Sequence, residues 1–240
     1  MRTLKTRHNI TLSKALSSSR KMKKNHNTAV IAAAVAAVLL AASFLLDGAA
    51  AALIRSIQTQ PITTAVAFFN RYFVWIYAAL LAATAAAIPA SAAADAHRRP
   101  NAAYVKATPK EDKGRKIFAM AASIITAMAV THLLKPVIHR LRPDGMLFVN
   151  PLLGNIDYSF PSGHTTAAAA GAFSAPKAFR AVWLVFTAAT ILSRVYSNVH
   201  FLSDTAAGLI VAFAVSALVK NKLKKSITAQ DKTEITRQII

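Results

Sequence analysis

Three short stretches hold side chains that could act together on a phosphate: KPVIHRLRP from Lys135 to Pro143, PSGH from Pro161 to His164, and SRVYSNVHFLSD from Ser193 to Asp204. They supply three cations (Lys135, Arg142, Arg194), two histidines (His164, His200) and a carboxylate (Asp204). Such a set can bind a phosphate and pass it through a covalent intermediate. His200 and Asp204 are four apart, so on a helix the carboxylate lies one turn from the imidazole. There it can keep one ring nitrogen protonated and leave the other free to attack. Arg194, six residues before His200, is placed to neutralise the group under attack. In PSGH, Ser162 is a suitable helix N-cap, Gly163 permits close approach of a ligand to backbone, and the free amides of the first turn suit an anion. His164 in that turn has the chemistry of a general acid. Lys135 and Arg142 are seven apart, about two helical turns, and so share a face on a continuous helix. Arginine offers a planar fork for phosphate oxygens and lysine a compact charge. Each stretch alone also has a plainer reading: snorkelling cations, a cap beside an incidental histidine, or a structural His–Asp pair. It is their joint occurrence that points to chemistry.

These residues need elements to hold them, and composition says which. With 55% hydrophobic and only 16% charged residues over 240 positions, and several apolar runs near bilayer length, the chain reads as an all-α, multi-span membrane protein. It has no cysteine, which excludes a disulfide framework and a thiolate metal site. The net charge of +20 raises the possibility of nucleic-acid binding, but the cations lie between the apolar runs. They crowd residues 1–28, Arg98 to Lys116, Lys177 to Arg180 and the tail from Lys220, the pattern of cytoplasmic loops. The charge therefore describes topology, and no nucleic-acid partner is expected.

Six spans are expected. The first runs from Ala29 to Leu46. Residues Asp47 to Asn70, spoiled by Arg55, Gln58, Gln60 and Pro61, read as one or two short helices on the outer face. A second span covers Tyr72 to Ala94, opened by an interfacial aromatic group of Tyr72, Trp75 and Tyr77. The third, Ile117 to Leu134, stops at Lys135 and Pro136 because proline lacks an amide donor. The fourth starts at Ser162 and runs through a small-residue stretch to Ala175, suited to close packing in lipid. The fifth is Ala181 to Leu192 and the sixth Ser203 to Val219. The expected organisation is a basic cytoplasmic segment (1–28), a six-span domain (29–219) and a basic cytoplasmic tail (220–240). Counting from a cytoplasmic N-terminus, all three motifs fall on the outer side, where the other cations are Arg55, Arg71 and Arg140 alone. A basic start, an apolar run and the alanines at 49–52 also resemble a cleaved signal peptide, though the basic region is long for one.

Taken together, the motifs resemble the signature of the type 2 phosphatidic acid phosphatase superfamily, which also includes vanadium haloperoxidases and bacterial acid phosphatases. Lys, six residues, Arg-Pro; Pro-Ser-Gly-His; and Ser-Arg, five residues, His, three residues, Asp are present without a departure. The resemblance implies that His200 becomes a phosphohistidine, Asp204 orients it and His164 protonates the leaving group. Lys135, Arg142 and Arg194, with Ser162 and the Gly163 amide, would neutralise the transition state, and no metal or cofactor is needed. His132 and His139 match nothing in the signature and are read as structural. The implied activity is that of a lipid phosphatase in a bacterial-type cytoplasmic membrane, acting on the outer face on undecaprenyl pyrophosphate, phosphatidylglycerol phosphate or phosphatidic acid. Alternatives are a lipid A phosphatase, a phosphotransferase and, more remotely, a haloperoxidase or a non-catalytic lipid-binding or transport protein.

Overall fold

The computed structural model describes the backbone of residues 2–98, 109–146, 149 and 156–239, and side chains within 27–87, 114–146, 149 and 156–226. The chain divides into two compact units, Met1–Ala42 and Ser43–Ile240. The first is one continuous stretch of helix, the N-terminal part of α1 (Arg2–Ile57). The second holds the rest of α1, then α2 (Gln60–Arg98), α3 (Pro109–Ile138), α4 (Gly163–Ser174), α5 (Lys177–Tyr196) and α6 (Leu202–Ile239). The protein is all-α, and the only β pairing among the described residues is an isolated bridge between Val149 and Ile156.

Five of these helices are long and apolar enough to cross a membrane, over Asn27–Ile57, Gln60–Ala87, Gly114–Ile138, Lys177–Tyr196 and Leu202–Ser226. The fourth expected span is a different kind of element. α4 has 12 residues, about 18 Å of helix against a hydrocarbon core of about 30 Å. It is the innermost helix, packed against α3, α5 and α6, and its residues from Thr165 to Ala172 are all buried. Small side chains make this possible. A Cβ on Gly171 would overlap the Trp183 ring of α5, and one on Gly208 of α6 would lie 2.9 Å from the Ser162 carbonyl oxygen.

Two expectations are corrected. No separate outer-face helices lie between the first two spans: α1 continues through Asp47 to Ile57, and α2 begins at Gln60 after a break of two residues. Asp47 does not interrupt the helix because its carboxylate is satisfied by tertiary partners. Pro61 sits in the first turn of α2, where its missing amide has no helical partner to lose. Nor does Pro136 end α3. The helix carries it to Ile138 and stops at His139, whose φ of 54° is left-handed and whose amide still donates to the Lys135 carbonyl at 3.1 Å.

The core runs down the centre of the bundle. Trp183, fully buried, donates its indole N–H to Thr84 Oγ1 at 3.0 Å and meets Tyr77 edge-on. Tyr77 is therefore a bundle residue and not part of an interfacial group, its hydroxyl donating to the Ala167 carbonyl at 3.2 Å. Buried hydroxyls that lack a cross-helix partner bond back one turn, as Thr187 does to Trp183 and Thr190 to Phe186. At one end of this core the C-termini of α3 and α5 face the N-termini of α4 and α6, and there the three motifs converge.

Candidate functional site

The left-handed residue at the end of α3 turns the chain so that Lys135 and Arg142 reach the same acid from opposite sides of the break. Lys135 Nζ donates to Asp157 Oδ1 at 2.6 Å and to the Tyr158 carbonyl at 2.6 Å. Arg142 donates through Nη2 to Asp157 Oδ2 at 2.8 Å and through Nη1 to the Val199 carbonyl at 3.1 Å, beside His200. Burial alone would raise the Asp157 carboxyl, but the hydrogen bond and charge of Lys135, helped by Arg142, hold it below the ordinary carboxylate value.

Ser162 occupies the N-cap position of α4 without a side-chain cap bond. Its hydroxyl instead accepts from Thr165 at 3.1 Å, and its amide donates to the Asp204 carbonyl at 3.0 Å. A Cβ on Gly163 would meet only Met128 Cε, at an ordinary 3.8 Å, so packing does not require glycine there. His164 has its ring 4.6 Å from that of Phe73, and burial, with the nearby charges of Arg194, His200, Lys135 and Arg142, pushes its imidazole down to about 3. Arg194 donates to Asn70 of α2, and its buried Nε has no hydrogen-bond partner among the described residues. Asn70 in turn donates to Ser197 Oγ at 2.8 Å, tying α2 to the α5–α6 junction.

Asp204 lies in the first turn of α6, where its carboxylate accepts from the Phe201 amide at 2.8 Å, the N3 half of a capping box. The same Oδ2 accepts from Ser159 Oγ and faces His200 Nδ1 at 3.4 Å. Ser159 Oγ is also 3.4 Å from His200 Nδ1. His200 is 3% exposed, and burial, the largest influence on it, holds its imidazole below the ordinary value although Asp204 pulls the other way. A neutral ring with Nδ1 turned to a carboxylate leaves Nε2 as the atom available to a ligand.

All eight residues singled out by sequence are thus gathered at one end of the bundle. Sequence reasoning missed five others: Asp47, Asn70, Arg140, Asp157 as an ion-pair partner, and Ser159. Asp47 was the legible one, since an acid in an apolar run requires a partner. Asn150 and Asn155, in the loop between Asp144 and Phe160, lie outside the described residues. Among the described residues no group of three or more His, Asp or Glu is placed to hold a metal ion.

The chain matches the family model described as PAP2 superfamily over residues 116–227, which contain all three motifs. Two solved structures are similar to it. One is a transmembrane PAP2-type phosphatidylglycerolphosphate phosphatase from Bacillus subtilis, at 20% identity over 78% of this chain and 96% of that chain, with a TM-score of 0.38. The other is LpxE from Aquifex aeolicus, at 15% identity over 71% of this chain and 92% of that chain, with a TM-score of 0.43. No curated protein matches.

Proposed function

Since residues 116–227 belong to the PAP2 superfamily, we propose that this multi-pass membrane protein is a metal-independent lipid phosphatase working through a phosphohistidine on His200. The observation that carries the reading is the buried His200–Asp204 pair, 3.4 Å apart, with Arg142 bonded to the carbonyl next to it. His200 Nε2 attacks phosphorus in line with the leaving oxygen; the N–P bond forms as the P–O bond breaks. His164, neutral in the empty site, takes up a proton as the bound phosphate offsets the surrounding cations and gives it to the departing alkoxide or phosphate. Asp204 stabilises the positive charge that the ring acquires. Lys135, Arg142, Arg194, Ser162 Oγ and the Gly163 amide neutralise the equatorial oxygens. Water then attacks phosphorus, His164 takes up its proton, the N–P bond breaks and phosphate leaves.

The substrate on this reading is a lipid phosphomonoester or pyrophosphate whose tails stay in the bilayer. The site faces the outer side of a cytoplasmic membrane, with residues 1–28 and 220–240 as cytoplasmic extensions of a catalytic domain over 29–219. Phosphate release by detergent-purified protein in EDTA tests it, using undecaprenyl pyrophosphate, phosphatidylglycerol phosphate, phosphatidic acid and a lipid A phosphate. Release is expected from at least one, lost by about 10⁴-fold or more in His200→Ala. Release that persists in that variant removes the nucleophile, and a strict magnesium requirement removes the three-cation account.

A further inference from the structure

The carboxylate that faces His200 is gripped from its other side. Arg140 Nη1 donates to Asp204 Oδ1 at 2.8 Å and to Ser203 Oγ at 2.6 Å, while Nη2 donates to Asp47 Oδ2 at 2.8 Å. Asp47 is bound again by α6: Ser203 gives its amide to Oδ1 at 2.9 Å and its hydroxyl to Oδ2 at 2.6 Å. The Arg140 guanidinium lies over the Phe201 ring at 4.0 Å and the Phe44 ring at 4.9 Å. Phe44 stacks on Phe160, so one edge of the clamp is closed by apolar surface. Asp47 is 9% exposed and Asp204 fully buried. Two carboxylates this far out of water, sharing a guanidinium that is only partly exposed, are expensive unless their pairing is well satisfied.

We propose that Arg140 and Asp47 are positioning residues of the reaction, forming with Asp204 and His200 a relay that runs from the first membrane helix to the nucleophile. This rests on the reading of His200 as nucleophile and Asp204 as its orienter. Both terminal nitrogens of Arg140 are committed to protein acceptors, so it acts through Asp204 and not on the phosphate. Two carboxylates around one guanidinium also have an electrostatic logic. An arginine alone beside Asp204 would oppose the positive charge that His200 gains as the N–P bond forms. Asp47 offsets that charge, so Asp204 is fixed in place while remaining an effective partner for the imidazolium. Binding Asp47 to the N2 amide of α6 locks the helix that carries Asp204 to the helix that anchors Arg140.

The test uses the full chain in detergent micelles, with phosphatidic acid as the probe and ¹⁵N-histidine labelling to read the His200 ring, its signals assigned by their loss in His200→Ala. Arg140→Gln is expected to shift the ring-nitrogen signals away from the Nδ1-protonated form and to lower kcat about 100-fold with little change in KM, the signature of a misplaced nucleophile. Asp47→Asn, isosteric and therefore informative even where Arg140→Gln fails to fold, is expected to lower kcat about tenfold with a smaller shift of the same signals. Arg140→Lys, which keeps the charge but cannot span both carboxylates, should fall between wild type and Arg140→Gln. Wild-type kcat and unchanged His200 signals in folded Arg140→Gln or Asp47→Asn overturn the proposal, as does a loss confined to KM. A wild-type protein inactive on every lipid phosphate, whose His200 signals still respond to these substitutions, would instead overturn the phosphatase reading and leave the clamp standing.

Discussion

The site has two acids doing opposite kinds of work. Asp157, on the segment before α4, bridges Lys135 and Arg142 and is a quarter exposed; Asp204, in the first turn of α6, is fully buried. Asp157 sits between the two cations that the proposed reaction gives to phosphate, so a substrate anion must compete with it. Asp204 takes the Phe201 amide, Ser159 and Arg140 on its two oxygens and has His200 as its longest contact. One carboxylate is held by side chains that a ligand can recruit, the other by a helix terminus and an arginine whose terminal nitrogens are already committed to protein acceptors. The proposed phosphoryl transfer needs both: exchangeable pairing where the anion would bind, fixed pairing where the nucleophile would be oriented.

The same change made in each arm should therefore give opposite results. Asp204→Asn removes the charge opposite the imidazolium and is expected to lower kcat about 10⁴-fold, read as phosphate release from the best lipid of the panel. A loss no larger than that of a surface substitution would show that Asp204 serves only to start α6. Ser159→Ala lies between the arms, since its hydroxyl meets Asp204 and His200 while its amide donates to the Arg140 carbonyl at 2.8 Å. About a tenfold fall in kcat is expected, because the amide contact survives the substitution. If KM alone rises, Ser159 belongs with the anion-binding arm.

Asp157→Asn should instead favour binding. With the competing charge gone, inorganic phosphate is expected to inhibit about tenfold more tightly, the equivalent of about 1.4 kcal/mol. Weaker inhibition in this variant would mean that Asp157 organises Lys135 and Arg142 more than it competes for them.

The contrast between the arms also marks what sequence could show. Lys135, Arg142, His164, Arg194, His200 and Asp204 are legible because their types and spacings recur as a unit, and their convergence follows from helices that alternate in direction. The all-α, multi-span fold is legible from apolar length. The clamp is not, because Arg140 and Asp47 are 93 residues apart and each looks like a defect locally: a spare outer cation and an acid in an apolar run. Reading that acid as the end of a span produced the outer-face helices that the structure replaces with a continuous α1. The 12-residue α4 shows a related limit. Alanine and threonine runs look like a span, but burial by three neighbouring helices relieves the element of any need to match the bilayer's thickness.

The smallest expected effect separates the arms by pH. His200, from an ordinary 6.5, is held lower chiefly by burial, which penalises the charged ring. The neutral form, the attacking one in the proposed reaction, therefore persists below pH 6.5. His164, which must be protonated to act as the acid, is pushed down to about 3 chiefly by burial. Thus kcat should not fall as the pH drops through 6.5 and should decline only further into acid, where His200 takes up a proton. Asp157, held below 3.8 by Lys135 and Arg142 despite its burial, remains charged throughout that range and should not shape the decline. Wild type and Asp157→Asn are then expected to share one acid limb while differing in phosphate inhibition. A limb centred at or above pH 6.5 would mean that Asp204 outweighs burial at His200. A limb that moves in Asp157→Asn would mean that the two arms titrate together, and that the exchangeable acid is coupled to the fixed one through Arg142 and the Val199 carbonyl beside His200.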